Sequence, residues 1–239
     1  MSKFESLSDF FGQNIIEYAI EYGYSLPNIL ILEGNAKRLE KEYPDTYNVL
    51  LSCNALKDNR TAMSYGQDLV SSWLFEDYIY DQLKIRGMDI VLSGSDKDRV
   101  ILPPKKVTAS SDYMVYKGDD RRYAVELVTD YTGFWIRNRK MHIRADIYAY
   151  LLDNNGFILG VSMKDGERSF GILEVSPHLP ILKLDRHALY GGKPAVEIAL
   201  PEHFFTDFYE DDIAYYLKEE IDDKALIEDA FQSFEQTIL

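Results

Sequence analysis

The sequence predicts an α/β (α+β) fold in which a mixed β-sheet is flanked by helices. Three observations lead to this prediction. Apolar residues recur at helical spacing in the first third of the chain, short alternating segments separated by turn residues fill the middle, and a further helical segment falls between two of those strands. Helices that are interleaved with strands pack on the faces of the sheet that the strands form.

Composition narrows the class of protein before any motif is considered. The chain has 239 residues, of which 46% are hydrophobic, so it can bury a large core and is not a disordered protein. No apolar run approaches the length of a membrane span, and the first residues lack a signal-peptide pattern. We therefore expect a cytoplasmic protein that does not enter a membrane. The single cysteine, Cys53, excludes an internal disulfide and a multi-thiol zinc site.

Changes in the spacing of apolar residues and in charge along the chain predict three regions. Residues 1–63 are expected to form a helical N-terminal region, residues 64–200 an α/β core, and residues 201–239 an acidic helical C-terminal tail. The first region contains no motif that indicates chemistry. The candidate functional residues therefore fall in the core.

The core is predicted to begin with a helix over 66–86, with Ser64 as its N-cap and Gly87 at its end. A second helix is predicted over 136–152, before Asn154, Asn155 and Gly156. Strands are predicted at 88–94, 99–102, 112–117, 121–128, 157–163 and 169–175. This order of elements gives a mixed sheet covered by helices.

The tail carries most of the negative charge. From Asp207 to Leu239 there are eleven acids against two lysines, whereas the whole chain has a net charge of −14. An amphipathic helix is predicted over 222–237, and its apolar stripe requires a partner surface because an isolated helix of this length is marginal in water. The stripe consists of Leu226, Ile227, Ala230, Phe231 and Phe234. We expect a homodimer, with this tail as one candidate contact.

A local basic strip contrasts with the acidic chain. Residues 121–144 contain six Lys or Arg against two acids. The overall charge argues against a protein that coats nucleic acid generally, but a basic strip beside a pair of carboxylates is compatible with a nuclease.

Two acids, Asp112 and Glu126, lie on consecutive predicted strands joined by a tight turn. Both are seven residues from the turn centre near Asp119, so an antiparallel hairpin places them opposite each other with side chains on one face. Two like charges in close contact require a cation or a proton. The alternative is a pair of solvated acids at strand ends, paired with Arg121 or Arg144.

The order of helix, strands, Asp, hairpin and Glu between hydrophobic residues, then helix and strand, resembles the PD-(D/E)XK nuclease superfamily. The resemblance covers residues 64–175. That family places a lysine two residues after the glutamate, where this chain has Val128. The Uma-type putative endonucleases have an aliphatic residue there and a lysine on the next helix, and Lys140 stands 14 residues after Glu126 in the same way.

The resemblance implies a role for each of these residues. Asp112, Glu126 and the backbone carbonyl of Leu127 would bind Mg²⁺ or Mn²⁺ through hard oxygen ligands. Lys140, from the start of a helix, would orient the attacking hydroxide or stabilise charge on the phosphate. Glu76 occupies the place of a further acid in many of these enzymes, although the adjacent Asp77 is an alternative and either acid could be a solvated helix charge.

Three arginines of the basic strip are candidates for phosphate contacts, namely Arg137, Arg139 and Arg144. The alternative is that they neutralise the acids of the chain itself. Asp130 could also be a metal ligand, although a turn residue is the simpler interpretation.

The function that the sequence favours is that of a Mg²⁺-dependent DNA endonuclease of restriction or repair type. The alternative is a nuclease-like fold without catalysis that serves as a binding or assembly protein, which the valine at position 128 leaves open. A third possibility, an accessory protein that acts on a basic partner through its acidic tail, rests on charge alone.

Overall fold

The computed structural model describes residues 3–54, 60–118, 120–164 and 167–238, without the side chains of Asn54, Leu189 and residues 231–238. The predicted turns centred on Asp119 and on residues 165–166 lie outside the described residues. So do the side chains of Phe231 and Phe234. None of the described helices is long and apolar enough to cross a membrane.

The helices are α1 Lys3–Phe11, α2 Ile15–Tyr22, α3 Leu26–Leu32, α4 Ala36–Glu42, α5 Pro44–Asn54, α6 Ala62–Ile85, α7 Phe134–Asn138, α8 Ala145–Asp153 and α9 Glu210–Ile238. The long helix α6 begins one turn earlier than predicted. Its N-cap is Thr61, whose Oγ1 accepts a hydrogen bond from the Ser64 amide at 3.1 Å, so Ser64 lies inside the helix.

The strands are β1 Ile90–Leu92, β2 Tyr113–Lys117, β3 Arg121–Asp130, β4 Lys140–Arg144, β5 Phe157–Lys164, β6 Glu167–Glu174, β7 Ile181–His187, β8 Lys193–Ala199 and β9 Thr206–Asp207. Six of them form the main sheet in the order β1-β2-β3-β5-β6-β9. Its neighbours are antiparallel except β3 and β5, which run parallel, so the sheet is mixed as predicted. The strand predicted at 99–102 is absent, because Arg99 has a left-handed backbone with φ 55°.

A second sheet of three antiparallel strands, in the order β4-β8-β7, was not predicted. The single helix predicted over 136–152 is wrong, since this segment divides into α7, β4 and α8. Met141 and Ile143 of β4 are buried in a cluster with Ala124 and Ile158 of the main sheet. This alternation of period two packs the second sheet against one face of the main sheet.

The opposite face of the main sheet is covered by the N-terminal helices, α6 and α9. Leu7 of α1, Trp73 of α6 and Leu217 of α9 belong to one buried cluster with Phe157 and Leu159 of β5. The buried face of α9 is formed by Ile213, Ala214, Leu217, Ile221 and Ala225. The stripe predicted on this helix is therefore out of phase, because Leu226 and Ile227 are 65% and 56% exposed.

Candidate functional site

The β2–β3 hairpin brings Asp112 and Glu126 together. Tyr113 pairs with Val125, so the observed register confirms the predicted one and places Asp112 opposite Glu126 immediately beyond the last paired residues. The backbone amide of Leu127 donates to Asp112 Oδ2 at 2.8 Å, which fixes the carboxylate beside β3. In a strand, the amide and carbonyl of one residue point to the same side. The Leu127 carbonyl is therefore directed toward Asp112 as well.

Both carboxylates lie on the face of the main sheet that packs against the second sheet. Alternate strand residues share a face, and Met114 and Ala124 belong to the cluster formed with the second sheet. Asp112 is two residues before Met114, and Glu126 is two residues after Ala124. The pair therefore lies at the end of the hairpin, where the two sheets meet.

The pair lies in an environment that disfavours negative charge. Burial and then the charge of Glu126 raise the pKa of Asp112 well above its usual value. Burial and then the charge of Glu76 raise the pKa of Glu126 to about 8, and nearby Arg144 opposes that rise. Glu126 Oε2 is buried and makes no hydrogen bond. The backbone hydrogen bonds that these two acids accept therefore compensate their negative charge only in part.

Glu76 joins this group from the other side of the sheet. Burial and then the charge of Asp112 raise its pKa well above the usual range, while Arg99 opposes the rise. Arg99 Nη1 donates to Glu76 Oε2 at 2.8 Å. The adjacent Asp77 accepts from Arg99 at 2.6 and 3.0 Å and from the Tyr24 hydroxyl, so it is a satisfied structural acid. The structure thus favours Glu76 over Asp77 as the third carboxylate.

A fourth acid, Asp96, was missed by the sequence analysis. The indole Nε1 of Trp73 donates to Asp96 Oδ2 at 2.5 Å, and the charge of Asp96 raises the pKa values of Glu76, Asp112 and Glu126. In the sequence it is one acid in a turn, Gly-Ser-Asp-Lys-Asp, with nothing to separate it from Asp98. Only the tertiary contact with a buried tryptophan identifies it.

Arg99 links this loop to the carboxylates. The amide of Asn28 donates to its carbonyl at 2.9 Å and holds the left-handed backbone, while the guanidinium lies 6.0 Å from the centroid of the Trp73 ring. With ion pairs to both Glu76 and Asp77, Arg99 supplies positive charge on the α6 side of the group. Glu126 has no such contact on its own side.

The prediction that Lys140 contacts the carboxylates of Asp112 and Glu126 is wrong. Lys140 lies in β4 rather than at a helix start, and its Nζ donates to Glu197 Oε1 at 2.9 Å. The other oxygen of Glu197 lies 3.0 Å from His142 Nε2. Lys140 and His142 lie on the same face of β4, because strand residues two apart share a face. Glu197 lies directly opposite His142 on the neighbouring strand β8.

The cation beside Glu126 is Arg144, which ends β4 and is the N-cap of α8. Its positive charge lowers the pKa of Glu126, and its Nε donates to Asp146 Oδ1 at 3.0 Å. Tyr190 also interacts with these residues. Its hydroxyl donates to the His142 carbonyl at 2.6 Å, and burial and then the charge of Glu126 raise its pKa to about 12. Arg121, the other cation considered, instead pairs with Asp229.

The other two arginines predicted to contact phosphates are exposed and contact backbone carbonyls. Arg137 of α7 donates to the Thr132 carbonyl, and Arg139, which follows α7, donates to the Glu202 carbonyl, both at 2.7 Å. Asp130 accepts from the amides of Thr132 and Trp135 at 2.8 and 3.0 Å. Asp130 is therefore a turn residue that caps the entry to α7.

The donor set fits a hard cation in part. Across the described residues, no group of three or more Asp, Glu, His and Cys side chains that could hold a metal ion is found. The orphaned Glu126 Oε2, the Asp112 carboxylate and the Leu127 carbonyl are nevertheless oxygen donors of the type that Mg²⁺ takes when water completes its coordination. A divalent cation would also supply the charge that these raised pKa values show to be lacking.

No protein-family model matches this sequence, and no curated protein matches it either.

Proposed function

We propose that this protein is a cytoplasmic, Mg²⁺-dependent DNA endonuclease of restriction or repair type with a PD-(D/E)XK-like core. The order α6, β1, β2, β3, α8 and β5, with β3 and β5 parallel, supports the resemblance that the sequence suggests. The observation that carries the proposal is the group of three acids formed by Glu76, Asp112 and Glu126, whose pKa values stay raised although Arg99 and backbone amides contact the group. Strongly raised pKa values of clustered acids are typical of functional sites.

The roles follow from the positions of the side chains. Asp112, Glu126 and the Leu127 carbonyl would hold Mg²⁺, with Mn²⁺ as a substitute. A cation held there would supply Lewis acidity toward the phosphodiester and would lower the pKa of a bound water molecule for hydrolysis of the P–O bond. Glu76 adds negative charge next to the pair, and Arg99 keeps that side chain in place by its ion pair.

Arg144 takes the place that the sequence analysis gave to Lys140. Its charge lowers the pKa of Glu126, and it lies at the end of β4, where this strand leads into α8. A guanidinium in this position would contact a phosphate oxygen and stabilise the negative charge that develops during hydrolysis. Lys140 is held by Glu197 and has no part in this step.

Isothermal titration of the full chain with Mn²⁺, in buffer without other divalent ions, tests the proposal directly. We expect one site that disappears in Asp112→Asn, a substitution that preserves size and removes charge. Glu197→Gln is the matched control, because it removes one strand glutamate outside the proposed site and should leave Mn²⁺ binding unchanged. A supercoiled plasmid incubated with Mg²⁺ should be nicked by the wild type and not by Asp112→Asn.

The second candidate is a nuclease-like fold that binds but does not hydrolyse. Two observations favour it, namely Val128 in the position of the family lysine and the pairing of Lys140 with Glu197. Equal heats of Mn²⁺ injection for wild type and Asp112→Asn, together with an intact plasmid, would support this scaffold and contradict the nuclease.

We also propose that the protein is a homodimer that uses the exposed side of α9. Leu226 and Ile227 are exposed apolar residues on a helix whose opposite side is buried. A chain truncated before α9 would lose part of its core, so Leu226→Lys with Ile227→Lys is the better test. Light scattering should give a dimeric mass for the wild type and a monomeric mass for this variant. A monomeric wild type would contradict the proposal.

A further inference from the structure

The outer face of the second sheet is distinct from the carboxylate group. Met141 and Ile143 of β4 point into the core, so Lys140, His142 and Arg144 lie on the other face of this strand. Glu197 pairs with His142 on one side and with Leu182 on the other. Leu182 is 56% exposed, which shows that this face meets solvent.

This sheet and its flanking segments carry positive charge in an acidic molecule. Residues 134–146 and 181–199 contain seven Lys or Arg against three acids, although the whole chain has a net charge of −14. Arg186 and Lys193 are exposed at the end where β7 leads to β8. This local excess of positive charge would attract a polyanion to the second sheet.

Four rings form a continuous row at this sheet. Phe134 lies 5.4 Å from His142, His142 lies 4.4 Å from His187, and His187 lies 5.1 Å from Tyr190, measured between ring centroids. All four side chains are partly exposed. A row of rings on a sheet, bordered by cations, offers stacking surfaces to unpaired bases.

The row ends beside the last residues of β4. The Tyr190 hydroxyl donates to the His142 carbonyl at 2.6 Å, two residues before Arg144 at the end of this strand. A nucleic-acid strand that follows the rings from Phe134 to Tyr190 would thus reach Arg144.

We propose that the outer face of the second sheet binds an unpaired nucleic-acid strand and leads it to Arg144, the cation proposed to contact the scissile phosphate. This rests on the proposed nuclease function and names its substrate class as single-stranded DNA or a single-stranded flap. Rings of this kind gain energy only from bases that are unstacked and accessible. In a duplex the bases are stacked on each other, and the rings would meet only the backbone.

Fluorescence anisotropy of the full wild-type chain in EDTA and low salt measures binding apart from hydrolysis. The probes are a labelled single strand of about 20 nucleotides, its duplex, and a strand of equal length with abasic sites at its centre. We expect Kd for the single strand to be about tenfold lower than for either of the others. Equal affinity for the abasic strand would overturn the role of the rings, and equal or tighter duplex binding would overturn the substrate class.

Charge-reversed variants locate the surface without disturbing the core. Arg186→Glu with Lys193→Glu changes two exposed residues of the second sheet and should raise Kd for the single strand by about tenfold or more. Lys37→Glu with Lys218→Glu is the matched control on exposed positions of α4 and α9, and its effect should be much smaller. Equal effects of the two variants would show that only net charge matters and would overturn the proposal.

The two proposals fail in different ways. Single-strand binding that persists while Mg²⁺ supports no cleavage would refute the nuclease and keep this face as a binding surface. Cleavage of duplex with no preference for a single strand would refute the surface and keep the nuclease. If the basic face instead captures the acidic α9 of another copy, light scattering will show a salt-sensitive increase in mass that Arg186→Glu with Lys193→Glu removes, and this would also overturn the proposal.

Discussion

Glu126 and Glu197 are both strand glutamates, and they lie on the two sheets that face each other across the core. Glu126, in the main sheet, has a buried oxygen without a hydrogen-bond partner, and its pKa is raised to about 8. Glu197, in the second sheet, is bonded to Lys140 at 2.9 Å and to His142 at 3.0 Å, and these partners lower its pKa.

The two glutamates are therefore expected to differ in their effect on the free energy of unfolding: Glu197 stabilises the folded protein, whereas the charged form of Glu126 destabilises it. Glu197 has two partners and supports the pairing of β4 with β8, whereas Glu126 is held near two other acids by the hairpin register and by α6. Buried acids with raised pKa values are typical of functional sites, so this group is a candidate site whereas Glu197 is a structural acid. Neutralising the two glutamates should therefore have opposite effects on stability.

The largest expected effect is on cleavage. Glu126→Gln keeps the shape of the side chain and removes a proposed metal ligand, so cleavage of single-stranded DNA in Mg²⁺ should fall by about a thousandfold. Glu197→Gln should keep cleavage within about threefold of wild type, since this glutamate binds no proposed substrate group. Equal losses in both variants would show that activity depends on the sheets being intact rather than on the carboxylate pair.

The second comparison concerns the two cations of β4. Arg144→Ala should reduce the cleavage rate by about ten- to a hundredfold, because a charged hydrogen bond to the phosphate is lost. Lys140→Ala removes only the partner of Glu197 and should have less than a threefold effect. Single-turnover rates at saturating DNA separate this loss from weaker binding. A larger loss in Lys140→Ala would return the catalytic role to the lysine.

The part of this site that could be predicted from the sequence depends on contacts between residues close together in the chain. The Asp112–Glu126 pairing follows from the length of one hairpin, and strand register is set by short-range geometry. The second sheet could not be predicted in the same way. Lys140–Arg144 is a five-residue strand between two short helices, and its partners in β8 lie more than 50 residues later in the chain.

Dependence on contacts between distant parts of the chain also explains the wrong predictions for Lys140 and for the apolar stripe of the C-terminal helix. The spacing of Lys140 from Glu126 predicts a catalytic lysine on a helix. However, α7 ends at Asn138, the following residues form β4, and Lys140 pairs with Glu197. The predicted helix of the tail begins at 222, whereas α9 begins at Glu210 and buries a different set of residues. Asp96 is recognised only through Trp73, a contact between α6 and a loop.

A third prediction uses the pH dependence of stability without metal. The pKa of Glu126 is about 8 in the folded protein and near its ordinary value when unfolded, so the folded state retains a proton that the unfolded state loses. The free energy of unfolding should therefore fall as pH rises from about 4.5 to about 8. Glu126→Gln should remove part of this slope and gain on the order of 1–3 kcal/mol at pH 8.5 in EDTA.

Urea denaturation at pH 5.5 and pH 8.5 gives this result directly, and Asp112→Asn should behave similarly because its pKa is also raised by burial and by Glu126. Addition of Mn²⁺ should restore stability to the wild type at pH 8.5 and leave Glu126→Gln unchanged. A wild type whose stability rises over this pH range would contradict the picture of uncompensated acids.

The smallest expected effect has the opposite sign. Glu197→Gln replaces a paired carboxylate by a neutral amide, and it should lower the free energy of unfolding at pH 7 by less than about 1 kcal/mol, since the Lys140 side chain is 41% exposed and its ion pair is screened by water. The lowered pKa of Glu197 means that its stabilisation is present above the ordinary glutamate pKa and is lost as pH falls through the folded-state value. The difference between Glu197→Gln and wild type should thus disappear in acid, while the difference for Glu126→Gln appears only toward alkaline pH. Urea curves for both variants from pH 4 to pH 9 would reveal this crossing. If Glu197→Gln stabilised the protein at pH 7, the second sheet would also carry an uncompensated acid, and the contrast between the two sheets would fail.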